Sequence, residues 1–211
     1  MSTLCSTKLV PVIAAPWNIV LTLLFVATAA ICLGDLVARR RRVSDGTGLT
    51  DADLIDLNHG VMSIAMIVMV WWSVWDAVTW AQVAIFAILA LALIPSYRGA
   101  KAAKAVDLTG HIALDAAMIW MLAAMPLLMA GMDMAEGDGG AHAGHQGGGG
   151  MMLDATPAWA DVTNVVFLGI CAVAAVWWIL RLFTARHHRI HTLCHVAMAA
   201  GMGWMLVLMN L

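Results

Sequence analysis

The stretch CHVAMAAGMGWMLVLMNL (residues 194–211) is almost wholly apolar, yet it carries a methionine at every turn of the helix that it predicts. Steps of three and four residues keep side chains on one helical face. The methionines that follow His195 in these steps are Met198, Met202, Met205 and Met209. We therefore predict a membrane-spanning helix with a stripe of thioethers that begins at a histidine.

The composition of the whole chain agrees with a membrane protein. Of its 211 residues, 63% are hydrophobic and only 11% are charged, whereas soluble chains carry roughly a quarter charged residues. The apolar residues fall into segments of about 20, the length that crosses a hydrocarbon core. The predicted environment is the lipid bilayer, and a net charge of -2 gives no reason to expect a nucleic-acid partner.

Six spans are predicted within a single transmembrane domain at 1–211. They cover residues 17–37, 55–75, 78–94, 108–129, 162–183 and 193–211. Ten of the 11 basic residues follow the first, third and fifth spans. The positive-inside rule places these basic loops in the cytoplasm, with both termini and the long loop at 131–160 outside. The basic block at 39–42 also indicates a stop-transfer flank rather than a cleaved signal peptide.

The long loop at 131–160 is rich in glycine and is predicted to be flexible. It also contains side chains that bind soft metals, namely His142, His145, Met151 and Met152. These residues are candidates for metal capture or release outside the membrane. The alternative is a disordered glycine linker with incidental histidines.

Two further spans repeat the pattern of the last one. In the second span, His59 is followed by Met62, Met66 and Met69. In the fourth span, the methionines that follow His111 are Met118, Met121, Met125 and Met129. All three histidines lie a few residues inside the cytoplasmic end of their spans, so we expect them to converge at one depth.

The distribution of methionine favours ligands over packing. Methionine often fills gaps in apolar cores, and packing is the simpler explanation of a stripe. However, the first, third and fifth spans contain no methionine, and the other three contain 11. Indifferent placement would give that split about once in two thousand cases. Each stripe also begins with a histidine, which is costly in lipid and marks a functional site by default.

Thioether sulfur is a soft, neutral ligand that binds Cu(I) and has little affinity for zinc, magnesium or calcium. A thiol next to His195 would strengthen such a site. The predicted metal ligands are His59, Met62, Met66, Met69, His111, Met118, Met121, Met125, Cys194, His195, Met198, Met202 and Met205.

Asp115 follows His111 by about one helical turn and is costly in the membrane unless it is paired. It is predicted to orient His111 from the second shell of the site, to carry a proton, or to contact Asn164 or Gln82. Asp35 is predicted to pair with Arg39. The tryptophans Trp177 and Trp178 are assigned to the aromatic belt at the inner membrane interface.

The predicted architecture is an all-α membrane protein with six transmembrane helices arranged as three hairpins. We expect quasi-threefold symmetry, with the second, fourth and sixth helices forming an inner ring lined by histidine and methionine. Gly201 and Gly203 would allow close packing of the last helix.

The stretches HGVMSIAMIVMVWW, HIALDAAMIWMLAAM and CHVAMAAGMGWMLVLM resemble the repeated signatures of an actinobacterial family of small polytopic membrane proteins, a domain of unknown function. The resemblance spans nearly the whole chain. It implies the fold and a bacterial plasma membrane, and it implies no settled activity. The stripe after His111 departs from the pattern, because Leu114 and Asp115 stand where a first methionine is expected.

Three MxxxM pairs also resemble, in chemistry and not in kinship, eukaryotic copper importers that use this motif in a helix from each of three subunits. The predicted function is Cu(I) binding for copper transport or for delivery to a membrane cuproenzyme or oxidase complex, with no catalytic residue assigned. The alternatives are a haem-binding electron carrier, a structural subunit of a respiratory complex, and a copper oxygenase, which is disfavoured because no substrate cavity is evident.

The topology is testable by labelling single cysteines in intact cells with a membrane-impermeant maleimide. We expect Asp45→Cys and Ala185→Cys to be protected, because the positive-inside rule keeps their loops in the cytoplasm. We expect His145→Cys to be labelled from outside. Labelling in the reverse sense would show that the basic loops do not set the orientation.

Overall fold

The computed structural model describes residues 13, 15–42, 48, 50–71, 76–129, 157–184 and 189–208, with side chains at all of these except 76 and 126–129. The described residues form six α-helices and one 3-10 turn. They are α1 (Trp17–Arg42), α2 (Asp51–Trp71), α3 (Asp76–Leu93), the 3-10 turn Ile94–Tyr97, α4 (Ala102–Met129), α5 (Ala158–Thr184) and α6 (Arg189–Leu208). Each helix is long and apolar enough to cross a membrane. The prediction of an all-α, multi-pass membrane protein is confirmed.

Most helices extend beyond the predicted spans at the ends that carry the basic residues. Helix α1 continues to Arg42 and α2 begins at Asp51, because charged side chains in these extra turns pair across helices. Arg39 Nε lies 3.2 Å from Asp53 Oδ1, and Lys104 Nζ lies 2.5 Å from Asp51 Oδ2. Apolar length alone does not detect turns that are held by charge. At the other end of the bundle, α5 begins at Ala158, inside the stretch predicted as loop.

Successive helices run in opposite directions and pack as neighbours. Helix α1 packs along α2, α3 along α4 and α5 along α6, while α2 contacts α3, α4 contacts α5 and α6 contacts α1. Polar contacts join the helix ends near the basic loops, as from Ser96 Oγ to Asp51 Oδ1 at 2.6 Å and from His191 Nε2 to Asp35 Oδ2 at 2.6 Å. We call this the basic end of the bundle.

Burial differs between alternate helices. In the membrane-length windows of α2, α4 and α6, 56%, 56% and 44% of residues are buried, against 22%, 11% and 17% in α1, α3 and α5. The latter helices expose large apolar side chains such as Leu23, Ile88 and Val173, as expected of surfaces that face hydrocarbon. This difference favours an inner position for α2, α4 and α6. The quasi-threefold symmetry and the inner ring stay predictions.

Gly201 allows α6 to approach α1 closely. A Cβ atom at this position would lie 2.9 Å from both Cε1 and Cζ of Phe25 and 3.2 Å from Cδ2 of Leu24. Phe25 is fully buried, so its ring can move aside only if the side chains packed around it also shift. Gly203 is less restricted, since the nearest atom to its added Cβ would be 3.5 Å away, on Cys171.

We predict that Gly201→Ala lowers the stability of the bundle by about 1–3 kcal/mol, the usual cost of overpacking a close contact. The matched control is Gly169→Ala, because nothing lies within 4 Å of a Cβ added there. The measurement is thermal unfolding in detergent, followed by the loss of the monodisperse peak in size-exclusion chromatography. Equal midpoints for the two variants would contradict the close α1–α6 packing.

Candidate metal centre

Three histidines from three different helices meet inside the bundle. The ring centroids of His59 on α2 and His111 on α4 are 4.9 Å apart, and those of His59 and His195 on α6 are 4.6 Å apart. The third pair, His111 and His195, is separated by 4.8 Å. The prediction that these residues converge is confirmed, and we refer to them as the His triad.

The His triad has the dimensions of a metal site. One nitrogen from each ring can be chosen so that all three lie within 4.8 Å of one another. Nitrogens bound to one metal ion at about 2.0–2.1 Å lie roughly 3.4 Å apart. Each imidazole nitrogen would therefore move inward by less than about 1 Å to bind a shared ion, and a fourth coordination position would stay open.

Three buried nitrogens of the triad lack hydrogen-bond partners. His59 and His111 are 0% and 1% exposed. Neither ring nitrogen of His59 has a partner, and Nδ1 of His111 has none. Buried polar atoms are nearly always hydrogen-bonded, and an exception needs an explanation such as an ion. A metal ion bound between the rings would accept a lone pair from one nitrogen of each neutral imidazole and would supply such a partner.

Trp178 on α5 packs against the triad. Its ring stacks on His111 with centroids 5.2 Å apart, and it lies 5.3 Å from the ring of His195. Gly110 makes room for it, since a Cβ there would lie 3.0 Å from Cζ2 of Trp178. The assignment of Trp178 to the aromatic belt is therefore wrong, because the ring is 1% exposed and fills the wall of the site.

A pattern in α5 indicates the burial of Trp178. Cys171, Ala174 and Trp178 are buried and recur in steps of three and four, so they form one inward face of a mostly exposed helix. Trp177 differs, because its Nε1 donates a hydrogen bond of 2.9 Å to Oδ1 of Asp107.

The methionine stripes lie in the same interior. Every described stripe methionine is buried and belongs to one apolar cluster shared by α2, α4 and α6. These residues are Met62, Met66, Met69, Met118, Met121, Met125, Met198, Met202 and Met205. The side chains of Met129 and Met209 lie outside the described part of the chain. Burial of thioethers is expected of ligands and of packing alike, so their binding of metal stays a prediction.

Asp115 has a partner other than those predicted. Its Oδ2 accepts a hydrogen bond of 3.1 Å from Nδ2 of Asn58, the residue before His59. The partner is neither His111, whose Nδ1 is unpartnered, nor Asn164, which donates instead to the backbone oxygen of Leu206 at 3.0 Å. The bond ties α2 to α4 next to two members of the triad.

Cys194 is buried, but its thiol is not part of the triad. Within the described residues, the group whose ligand atoms lie within 4.8 Å of one another contains only the three histidines. The thiol of Cys194 instead lies next to the thiol of Cys32 on α1. Both cysteines are free of disulfides.

The prediction that Asp35 pairs with Arg39 is wrong. Arg39 binds Asp53 and Asp56 of α2, because those carboxylates face it from the neighbouring helix. Asp35 pairs with His191 of α6. His191 Nδ1 also lies 3.5 Å from Oδ1 of Asp56, so this histidine joins α1, α2 and α6 at the basic end.

The predicted capture residues His142, His145, Met151 and Met152 lie outside the described residues. A cavity not expected from the sequence is present elsewhere. An apolar groove of about 580 Å³ lies between α4 and α5, with Ala113 and Val173 on its walls and Trp178 on its lining. Trp178 thus borders both the groove and the triad.

Comparison with known proteins gives a family but no function. No curated protein and no solved structure matches this chain. The family described as "Domain of unknown function (DUF5134)" matches residues 52–209. The match contains all three histidines of the triad and the methionines that follow them, while α1 with Cys32 precedes it. The chain therefore belongs to the DUF5134 family.

Proposed function

We propose that the protein binds Cu(I) at the His triad inside the membrane and passes it along the methionine stripes, for copper transport or for delivery to a membrane cuproenzyme. The observation that carries this proposal is the convergence of three imidazoles at the base of the stripes, with both ring nitrogens of His59 and Nδ1 of His111 buried and without a hydrogen-bond partner.

The ligand set favours Cu(I) over other ions. Imidazole and thioether are neutral, so the site keeps the full charge of the ion that enters it. A monovalent ion costs less to hold in a low-dielectric interior than a divalent one. Three imidazoles alone also suit zinc, but thioethers bind Cu(I) and discriminate against zinc. The buried methionines that continue from each histidine therefore favour Cu(I) over zinc.

The stripes offer a route away from the triad. At a rise of about 1.5 Å per residue, the thioethers from Met62 to Met69 extend over roughly 10 Å of depth. Several weak sites in series allow an ion to bind and also to leave. The stripe on α4 continues through Met118, Met121 and Met125, and the stripe on α6 continues through Met198, Met202 and Met205.

The spacing of the imidazoles argues against haem between them. Two imidazoles bound to opposite faces of one haem iron have ring centroids roughly 6 Å apart. The three centroid distances in the triad are 4.6, 4.8 and 4.9 Å, with the rings at steep angles to one another. A Soret band from the purified protein would nevertheless identify a haem protein and overturn the copper proposal.

The methionine stripes are tested by Met66→Leu, Met125→Leu and Met202→Leu in one variant. Leucine nearly conserves volume, so each change should cost under about 1.5 kcal/mol and leave the fold intact. We expect this variant to bind less Cu(I) than wild type, measured by metal analysis after equilibration with a Cu(I) chelator.

The matched control is the reverse exchange at buried leucines outside the stripes, in a variant with Leu21→Met on α1, Leu122→Met on α4 and Leu206→Met on α6. It perturbs packing to a similar degree and keeps every stripe, so we expect wild-type Cu(I) binding. Unchanged copper in the folded triple-leucine variant would show that the stripes serve packing, as in a structural subunit of a larger complex.

The triad is tested by His195→Ala. Removal of one of three imidazoles should lower the apparent Cu(I) affinity by at least about tenfold, since even indirect partners of metal ligands contribute 10- to 100-fold. The control is His187→Ala combined with His188→Ala, which removes imidazoles from the basic loop and leaves the triad. Equal affinities in a chelator competition would exclude His195 as a ligand.

A further inference from the structure

Two cysteines, one from the first helix and one from the last, meet between the basic end and the His triad. Cys32 of α1 and Cys194 of α6 are 0% and 4% exposed, and their thiols lie next to each other where the two helices pack. A buried free cysteine is usually a small apolar residue. Two thiols placed against each other form a pair of soft donors that packing does not require.

The ion pair at the basic end sets the register of these thiols. His191 and Cys194 are three residues apart on α6, and Cys32 and Asp35 are three residues apart on α1. Residues at this spacing share a helical face. Because the helices run in opposite directions, the contact between His191 Nε2 and Asp35 Oδ2 at 2.6 Å leaves the two cysteines opposite each other one turn deeper.

The cysteine pair lies between the partly exposed basic end and the buried interior. Asp35 is half-exposed and His191 is a quarter exposed, whereas Cys32 and Cys194 are buried. His195, adjacent to Cys194 in the sequence, already belongs to the triad. Soft donors thus continue from the triad toward the exposed end of the bundle without a break on α6.

We propose that Cys32 and Cys194 form a second Cu(I) site, a two-thiolate site through which copper is exchanged between the His triad and the basic end of the bundle. The exchange role rests on the proposed function of the triad, whereas metal binding by the thiol pair does not. Binding deprotonates both thiols, forms two Cu–S bonds and releases two protons toward the His191–Asp35 pair. Copper stays in the same oxidation state, and no electron is transferred.

The chemistry of the pair selects Cu(I). Thiolate is the softest ligand that a protein offers, and it prefers Cu(I) and zinc to hard cations. Structural zinc requires four ligands in a tetrahedron, and no group of three or more histidine, cysteine or carboxylate ligand atoms includes these thiols among the described residues. Two sulfur donors are sufficient for Cu(I), which accepts a linear pair.

A dithiol reagent tests the pair without copper. Phenylarsine oxide condenses with two adjacent thiols, forming two As–S bonds and releasing one water molecule, and a single thiol does not retain it. We expect one adduct on the detergent-purified protein by intact mass spectrometry, and its loss in Cys32→Ala and in Cys194→Ala. The variant with Cys5→Ala and Cys171→Ala retains only the proposed pair and should keep the adduct.

Cu(I) itself tests the site and separates it from the triad. Preloading with Cu(I) should prevent the arsenical adduct, and the Cys32→Ala/Cys194→Ala variant should bind one Cu(I) fewer per chain than wild type. The His59→Ala/His111→Ala variant should also bind less, but it should keep the adduct and its protection by Cu(I). Each variant is used only if it elutes as the wild-type peak in size-exclusion chromatography.

The outcomes distinguish the two proposals. If the Cys32→Ala/Cys194→Ala variant binds as much Cu(I) as wild type, or if wild type forms no arsenical adduct, the thiol site is wrong and the triad is unaffected. If only the His59→Ala/His111→Ala variant matches wild type in Cu(I) binding, the proposed function of the triad is wrong while the thiol site stands.

Discussion

An imidazole nitrogen that is buried in an apolar bundle without a hydrogen-bond partner destabilises the fold, because neither lipid nor the surrounding methyl groups can replace the hydrogen bond that water makes. Three imidazoles meet at one point in this protein, and those of His59 and His111 retain nitrogens without a hydrogen bond. The cost of burying one such polar group is a few kcal/mol. The arrangement is therefore stable only if neighbouring parts of the bundle hold the rings together, or if a ligand supplies what the protein does not.

Several contacts outside the triad hold it in place. Trp178 stacks on His111 and closes the site on the side of α5. The hydrogen bond from Asn58 to Asp115 joins the helices that carry His59 and His111. Ion pairs at the basic end join α1 to α2 and α1 to α6. Polar bonds between helices thus fix the register of one helix against the next. The rest of the interior is filled by thioethers, which adapt to irregular space.

Side chains of different chemical type follow one another along the bundle in a fixed order. Carboxylates and His191 lie at the basic end, the Cys32–Cys194 pair follows, then the His triad, and the methionines continue toward the opposite end. The softness and charge of these side chains change from layer to layer, whereas the helices that carry the layers are continuous. A gradient of this kind suits an ion that is held briefly at several positions better than one that is bound permanently.

The sequence by itself determined the membrane class, the six helices and the identity of the triad. Apolar length and three-to-four spacing are local properties, and three stripes that begin with histidine at the same depth leave few ways to pack apart from convergence. The sequence did not predict contacts made by isolated residues. Cys32 and Trp178 resemble ordinary membrane residues, and Asp35 has an arginine at a favourable spacing on its own helix. Only the tertiary structure decided that Cys32 faces Cys194, that Trp178 lines the triad and that Asp35 pairs with His191. The physical reason is that helix-to-helix register depends on which side chains of two different helices fit and pair, and no pattern within one helix contains that information.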